Sequence, residues 1–262
     1  MASARVAVVV FPGTNSEEET LRALAAVGLD ARPVRSNAEA RELRTFDAYV
    51  LPGGFAYEDR VRAGAIAAHD RALEAIREAD AAGKPILGLC NGAQILLEAG
   101  IVPALGDARA AQAAFAKNAP LRKFRSVRVW IRLAVRPARS PLLAALPEGA
   151  VLPAWASHGE GRLAASQAVL AQLEPAEVIA FRYCDAGGAV RDDAVPNGSA
   201  LGVAGLLSVR GNALALMPHP ERAAWAYQLL PGTRSAVASG DGMLAPAGGI
   251  ALFASFARGL AA

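Results

Sequence analysis

The first hundred residues alternate short apolar runs with helical segments, and two of the runs stop at a Pro-Gly pair. Residues 5 to 11 form a continuous apolar run that ends at Pro12-Gly13, a third run occupies 46 to 51, and a fourth covers 86 to 89. Continuous apolar strands that alternate with helices are typical of a parallel sheet that is covered on both faces. The sequence therefore predicts an α/β protein with a doubly wound, mostly parallel sheet, with function at the strand ends.

The remaining elements follow from the same patterns. A strand near 30 to 35 and helices at 17 to 28, 37 to 44 and roughly 60 to 82 complete the first hundred residues. Residues 124 to 135 place apolar side chains at alternate positions, which indicates a half-buried strand of a smaller antiparallel or mixed sheet element. A stretch rich in Gly, Ala and Ser predicts a loop or insertion at 225 to 249, before a predicted helix at 249 to 260. We expect one domain over residues 1 to 262.

The composition excludes several classes of protein. Apolar residues make up 53% of the chain and charged residues 19%, which is enough to bury a substantial core. The net charge of +3 comes without a dense run of like charge, so neither nucleic acid nor membrane is expected as a partner. The two cysteines do not suggest a disulfide scaffold, and the N-terminal apolar run is too short for a membrane span and lacks the flanks of a secretion signal. The expected location is the cytoplasm.

The segment Gly88-Leu89-Cys90-Asn91-Gly92 comes directly after the fourth predicted strand and before a helical stretch. This is the nucleophile-elbow pattern with cysteine in the place of serine, in which a sharp turn exposes the central side chain and needs small neighbours. The thiol then lies at a helix N-terminus, where partial positive charge favours the thiolate. Cys90 is therefore the predicted nucleophile, and the backbone N–H of Asn91 becomes available to an oxyanion. Cys184 has no such setting and is interpreted as structural.

The segment Met217-Pro218-His219-Pro220-Glu221-Arg222 follows an apolar strand and contains the predicted base. Prolines on both sides of His219 exclude regular helix and favour an extended backbone. In an extended chain, residues two apart face the same side, so Glu221 is expected to orient the imidazole of His219 as the carboxylate does in other triads.

Two further histidines compete for this role. His69 lies in a helical pattern and is most simply a solvated or capping residue. His158 belongs to the compact polar segment Ser157-His158-Gly159-Glu160-Gly161, whose members are too close in sequence to fold back into a triad. We therefore predict a binding or partner-interface role for His158 and Glu160.

Cys90 within GLCNGAQ and His219 with Glu221 within MPHPER resemble the class I, triad-type glutamine amidotransferases, which have a flavodoxin-like fold. Further segments are similar to the members of that family that serve as glutaminase subunits in purine biosynthesis, and they span most of the chain in order. These segments are FPGTNSE (11 to 17), LPGGFAYEDRVRAGAIAA (51 to 68), GLCNGAQILLEAGIVP (88 to 103), SHGEGR (157 to 162), FRYCD (181 to 185) and PNGSALGVAGL (196 to 206).

The resemblance implies a site and a reaction. Cys90 would attack the carboxamide of glutamine, His219 would move the proton, and Glu221 would steady the imidazolium. The remaining groups that the resemblance implies bind the oxyanion or the substrate, and they are Gly53 or Gly54, Asn91 and Gln94.

The resemblance also implies partners. Ammonia would pass to a large synthetase subunit, accompanied by a small third subunit, that converts formylglycinamide ribonucleotide into the amidine. ATP and magnesium are expected on that synthetase. No cofactor is expected on this chain, because it contains no G-x-x-x-x-G-K-[ST] segment, and no metal site is predicted.

The chain departs from the family pattern in one loop, and two other functions stay compatible with the sequence. The family loop reads more like GGFSYGD, whereas this chain has Ala56 and Glu58, so a glycine that tolerates positive φ is missing at 58. A stand-alone cysteine hydrolase or peptidase predicts activity without a partner and little preference for glutamine. A catalytically silent regulatory subunit predicts synthetase binding without glutamine hydrolysis.

Overall fold

The computed structural model describes residues 4–106, 110–228 and 245–261 of the chain. The strands are β1 (Arg5–Val10), β2 (Asp30–Arg35), β3 (Ala48–Leu51), β4 (Ile86–Leu89), β5 (Ala113–Ala116), β6 (Arg125–Leu133), β7 (Val151–His158), β8 (Arg162–Ala165), β9 (Ile179–Cys184), β10 (Val203–Leu207) and β11 (Ala213–Leu216). The helices are α1 (Glu17–Ala26), α2 (Ala40–Leu43), α3 (Ala72–Ala81), α4 (Asn91–Glu98), α5 (Gln167–Leu173) and α6 (Ile250–Ala261).

Nine of the strands in the described part of the chain form one sheet, in the order β2-β1-β3-β4-β11-β10-β9-β6-β7. The first five are joined by parallel pairings. The last four are added by antiparallel pairings, so that only β10 and β6 run against the other seven. Strands β5 and β8 form a separate antiparallel pair. The predicted fold, a doubly wound and mostly parallel sheet with a small antiparallel element, is confirmed.

Helices cover both faces of this sheet, which explains why its central strands are apolar throughout. Strands β3, β4, β10 and β11 are buried at every position. Alternate residues of β1 enter different cores: Val9 packs with side chains of α3 and α4, whereas Val8 packs with side chains of α1 and α6. A strand that is buried on both faces needs apolar residues at successive positions rather than at alternate ones.

The helix that was predicted over roughly 60 to 82 begins later than expected. Regular helix starts at Ala72 and ends at Ala81, and residues 67–69 form only a 3₁₀ turn. The alanine-rich stretch has a helical pattern but no strong start signal. Within it, Val61 and Gly64 adopt positive φ, which interrupts a right-handed helix.

In the second half of the chain, the strand with the clearest sequence pattern is present in the structure. Strand β6 was predicted within 124 to 135, and Val129, Ile131 and Leu133 face the core at alternate positions. The C-terminal helix α6 is also confirmed. The loop predicted at 225 to 249 falls mainly on residues 229–244, which lie outside the described residues. Within the described ranges, no helix combines the length and apolar character that crossing a bilayer requires.

Candidate active site

Cys90 lies at a sharp turn between β4 and α4, as its sequence setting predicts. Its backbone has φ 49° and ψ −105°, and α4 begins at the next residue. A Cβ atom on Gly92 would fall 1.9 Å from the carbonyl oxygen of Leu51, and one on Gly88 would fall 2.6 Å from that of Gly92. The need for small neighbours is therefore confirmed. The backbone N–H of Cys90 donates to the carbonyl of Leu216 in β11 at 2.8 Å, so the nucleophile turn is bonded to the strand that leads to His219.

His219 and Glu221 form a buried pair just beyond β11. Nδ1 of His219 hydrogen-bonds Oε1 of Glu221, and the two side chains are 2% and 0% exposed. His219 itself is extended and exchanges two backbone hydrogen bonds with Trp155 of β7. The pairing was predicted, but its assumed backbone was wrong at Glu221, which lies in a 3₁₀ turn over Pro220–Ala223. Proline is well tolerated at the first position of such a turn, because its missing N–H has no intrahelical partner there.

The thiol of Cys90 and the imidazole of His219 interact directly. Burial alone would lower the pKa of His219, but the negative charges of Glu221 and Cys90 and their hydrogen bonds to the ring raise it well above its usual range. The environment therefore favours a positively charged His219 beside the thiol of Cys90, an arrangement that activates cysteine as a nucleophile. Sγ of Cys90 also lies 3.8 Å from the carbonyl oxygen of Ser157. Cys184 is also buried, and burial together with the negative charge of Asp185 raises the pKa of its thiol to about 11.

A small cavity of about 150 Å³ opens onto the thiol and the imidazole. The backbone of Gly54 and the side chain of Arg222 line it. Gly53 lies against both Cys90 and His219. A Cβ atom at position 53 would fall 2.5 Å from Cε1 of His219 and 3.2 Å from Cβ of Cys90. Only glycine fits at position 53, so the end of β3 runs directly beside the nucleophile.

Two aromatic rings flank the cavity. Phe55 and Phe124 both line it, their ring centroids are 6.5 Å apart, and they are 46% and 52% exposed. Large aromatic side chains with this much exposure are unusual beside a polar site unless something else covers them.

The side chains of Asn91 and Gln94 are buried and bound to protein. Oδ1 of Asn91 accepts the N–H of Ala56 at 2.9 Å, and its Nδ2 donates to Oδ1 of Asp59 at 3.0 Å and to Oε1 of Gln94 at 2.8 Å. Nε2 of Gln94 donates to the carbonyl of Glu160 at 2.6 Å. These two amides therefore connect α4 to the segment that contains Ala56 and Asp59 and to the loop that contains Glu160.

His158 is buried next to the reactive pair. Its Nδ1 lies 3.2 Å from Oδ1 of Asn118, whereas its Nε2 has no hydrogen-bond partner within the described ranges. Gly161 packs against the ring, since a Cβ atom there would fall 2.2 Å from Cε1. Burial, together with the charge of His219, lowers the pKa of His158 to about 4. His158 is thus a buried neighbour of the site that does not line its cavity. Glu160 is half-buried and accepts the N–H of Ala63 at 3.3 Å.

The lowered pKa of His158 predicts a loss of stability in acid. Between an unfolded value of about 6.5 and a folded value of about 4, the unfolded chain binds more protons, so the free energy of unfolding falls as the pH decreases through that window. The shift corresponds to at most about 3 kcal/mol. Urea unfolding at a series of pH values should show this loss in the wild type and a shallower one in His158→Asn, whose amide still donates to Asn118. Equal slopes would contradict the prediction.

The structure adds groups that the sequence patterns did not single out. Asn118 binds the carbonyl and the ring of His158, and also the N–H of Gly161. Asp59 binds Asn91, and Phe124 lines the cavity. Asn118 lies between the predicted helix after Cys90 and the predicted strand at 124 to 135, where the sequence has no clear periodicity, and Phe124 is the first residue of that predicted strand. In the same described ranges, no cluster of three or more His, Cys, Asp or Glu side chains is arranged to hold a metal ion.

Comparison with known proteins identifies the family. Residues 3–243 match the family of CobB/CobQ-like glutamine amidotransferase domains. The chain is 43% identical over 235 residues to phosphoribosylformylglycinamidine synthase subunit PurQ of Methanothrix thermoacetophila, covering 86% of this chain and 88% of that one. It is 41% identical over 257 residues to the PurQ subunit of Symbiobacterium thermophilum, covering 98% and 97%.

A solved structure agrees with these relatives. The structure of PurLQS from Thermotoga maritima contains a chain with a TM-score of 0.71 and 28% identity, covering 97% of this chain and 98% of that one. The fold, the arrangement around Cys90 and the similarity over nearly the whole length point the same way. The chain belongs to the family of glutamine amidotransferases known as phosphoribosylformylglycinamidine synthase subunit PurQ.

Proposed function

We propose that this chain hydrolyses glutamine to glutamate and ammonia and delivers the ammonia to the synthetase subunit of phosphoribosylformylglycinamidine synthase, in purine biosynthesis. The observation that carries the proposal is the buried Glu221–His219 pair beside the thiol of Cys90. The relatives that match most of this chain are PurQ subunits of phosphoribosylformylglycinamidine synthase, which supports the same function. A cysteine nucleophile, an adjacent base and a group that orients the base are the parts that acyl transfer requires.

The first half of the reaction forms a thioester. The thiolate of Cys90 attacks the side-chain carbonyl carbon of glutamine, and the C–N bond then breaks as His219 gives its proton to the departing nitrogen. Ammonia leaves and a γ-glutamyl thioester remains on Cys90. The carboxylate of Glu221 stabilises the positive charge of His219 before that transfer.

The second half of the reaction regenerates the enzyme. His219, now neutral, takes a proton from water, which attacks the thioester carbon and releases glutamate as the Cys90–carbon bond breaks. We assign stabilisation of the two oxyanions to the backbone N–H of Asn91 at the start of α4 and to that of Gly53 or Gly54 at the end of β3. The position of these residues beside the cavity and the thiol supports the assignment. Gln94 stays a candidate for substrate binding through its place on α4.

The synthetase is the proposed partner, because ammonia must be kept from bulk water on its way to the acceptor. We place ATP and magnesium on that subunit, and a small third subunit in the same complex, in the cytoplasm. The acceptor is formylglycinamide ribonucleotide, which becomes the amidine. The exposed rings of Phe55 and Phe124 beside the cavity support a partner that covers the mouth of the site. Weak glutaminase activity of the isolated chain is expected for the same reason.

The test is release of ammonia and glutamate from glutamine, measured with and without the synthetase subunit. Release should depend on Cys90, so that Cys90→Ser gives the background, and it should rise when the synthetase is added. Release that is equally fast without the synthetase would favour a free-standing hydrolase instead. No release in either case would favour a silent regulatory subunit.

A further inference from the structure

The segment that follows β3 is strained and lies against the nucleophile turn. After Gly54, three consecutive residues other than glycine, Tyr57, Glu58 and Asp59, adopt φ of 53°, 60° and 52°. Val61 follows with φ 74°. Backbone in this region persists only where the surroundings hold it, and such segments cluster at functional sites. The contacts that hold residues 55–61 therefore bear on how the site works.

The main contact is made by the side chain of Asn91, the residue after the nucleophile. Its Oδ1 accepts from the N–H of Ala56 and its Nδ2 donates to Oδ1 of Asp59, so both ends of the amide bind the same strained segment. Asn91 is 1% exposed, and the remaining hydrogen of Nδ2 is bonded to Gln94. The segment and the start of α4 are thereby joined as one unit.

Asp59 acts with the N–H of Ala56 and with Gln94 to set which way the Asn91 amide points. An ionised carboxylate only accepts hydrogen bonds, so it binds the NH₂ end of an amide and turns the oxygen end away. With its NH₂ held by Asp59, Asn91 presents oxygen to the N–H of Ala56, the neighbour of the Gly54 and Phe55 that line the cavity. A protonated Asp59 is also a donor and no longer imposes this orientation.

We propose that Asp59 is a positioning residue for glutamine hydrolysis, whose ionised carboxylate orients the Asn91 amide and so holds the backbone at the end of β3 against the nucleophile turn. This inference rests on the proposed glutaminase function. Asp59 touches neither the thiol nor the cavity in the described structure, and it acts through Asn91. Displacing oxyanion donors by a fraction of an ångström is enough to slow a reaction of this kind.

The charges around Asp59 make its role sensitive to pH. Burial, together with the negative charge of Glu160, raises the pKa of Asp59 to about 6, against the opposing effect of the hydrogen bond from Asn91. The other charged side chains near Asp59 in sequence form ion pairs of their own. Glu58 binds Arg60, and Arg62 binds Glu98 of α4. The carboxyl group of Asp59 thus loses its proton just below neutral pH, and the negative charge of Glu160 opposes that loss.

Two variants test the role without adding strain, because asparagine and glycine both tolerate positive φ. In the complex with the synthetase, Asp59→Asn and Asp59→Gly should lower kcat for glutamine by about 10- to 100-fold, with a much smaller change in KM. Ammonia-dependent synthesis and the unfolding temperature should stay near the wild-type values. The wild-type kcat should fall in acid with a midpoint near pH 6 that both variants lack. Glu58→Gln, on the same strained segment, is the matched control and should behave as the wild type.

Each outcome is decisive. Variants with wild-type kcat and an unchanged acid limb would overturn the role of Asp59 while the glutaminase function stands. Loss of ammonia-dependent synthesis or of folded protein in both variants would show a structural role only, and would also overturn the inference. A wild-type complex that uses ammonia but not glutamine would contradict the proposed function, and the role of Asp59 with it.

Discussion

Replacing His219 with alanine is expected to reduce glutamine-dependent turnover to background, a loss of about 10⁶-fold if it behaves as the base of other triads. The reason is that, in the proposed mechanism, His219 moves both protons of the reaction, one to ammonia and one from water. Ammonia-dependent synthesis by the complex should survive, because the synthetase does not use this site. The measurement is product formation with glutamine or with ammonium salt as the nitrogen source.

The alanine variant also leaves the carboxylate of Glu221 buried without its partner, which typically costs about 3–5 kcal/mol. His219→Gln separates that effect from catalysis, because its amide still donates a hydrogen bond but cannot act as a base at neutral pH. His69→Ala is the matched control, since His69 is exposed on the 3₁₀ turn before α3. If His158→Ala lost glutamine-dependent turnover and His219→Ala kept it, the assignment of the base would be wrong.

Neutralising Glu221 is expected to have the second large effect. Glu221→Gln keeps the size of the side chain and an oxygen that accepts from Nδ1 of His219, but it removes the negative charge. A comparable substitution in a serine triad costs about 10⁴-fold in kcat. Burial lowers the pKa of His219 and the charge of Glu221 raises it, so the pKa should fall in the variant.

A lower pKa of His219 should make the thiol of Cys90 less reactive, because the thiolate loses its positive partner. The rate of alkylation by iodoacetamide should therefore drop in Glu221→Gln. It is followed by mass spectrometry between about pH 5 and about pH 8, which extends about 1.5 units on either side of the usual pKa of histidine. Cys184 provides an internal reference, since its buried thiol with a pKa of about 11 should not react. An unchanged alkylation profile would show that Glu221 does not control the thiol–imidazole pair.

The parts of the fold and site that the sequence predicted are those with a local cause. A buried parallel strand requires an apolar run, and the turn at Cys90 requires glycine at 88 and 92. Proline on either side of His219 restricts its backbone. These signals were sufficient for the sheet and for placing Cys90, His219 and Glu221. The same reasoning failed for the helix start at Ala72, because an alanine-rich stretch has helical periodicity whether or not the chain forms a helix there.

The parts that the sequence did not predict depend on contacts between distant residues. Asn118 and His158 are 40 residues apart, and Asn91 and Asp59 are 32 apart. Nothing at either position in the sequence marks such a contact. Glu58 is a related case: the absence of glycine was visible, but the structure holds Glu58 at φ 60° all the same, through bonds made by its neighbours.

The bond from the N–H of Cys90 to the carbonyl of Leu216 has a consequence for regulation. Strands β4 and β11 are adjacent, central and buried, and segments of that kind open to hydrogen exchange only when the whole domain unfolds. The spacing between nucleophile and base is therefore as durable as the native state itself. A partner that switches the reaction on has to alter entry to the cavity or the backbone after β3, and the amide of Cys90 should exchange equally slowly in the free chain and in the complex.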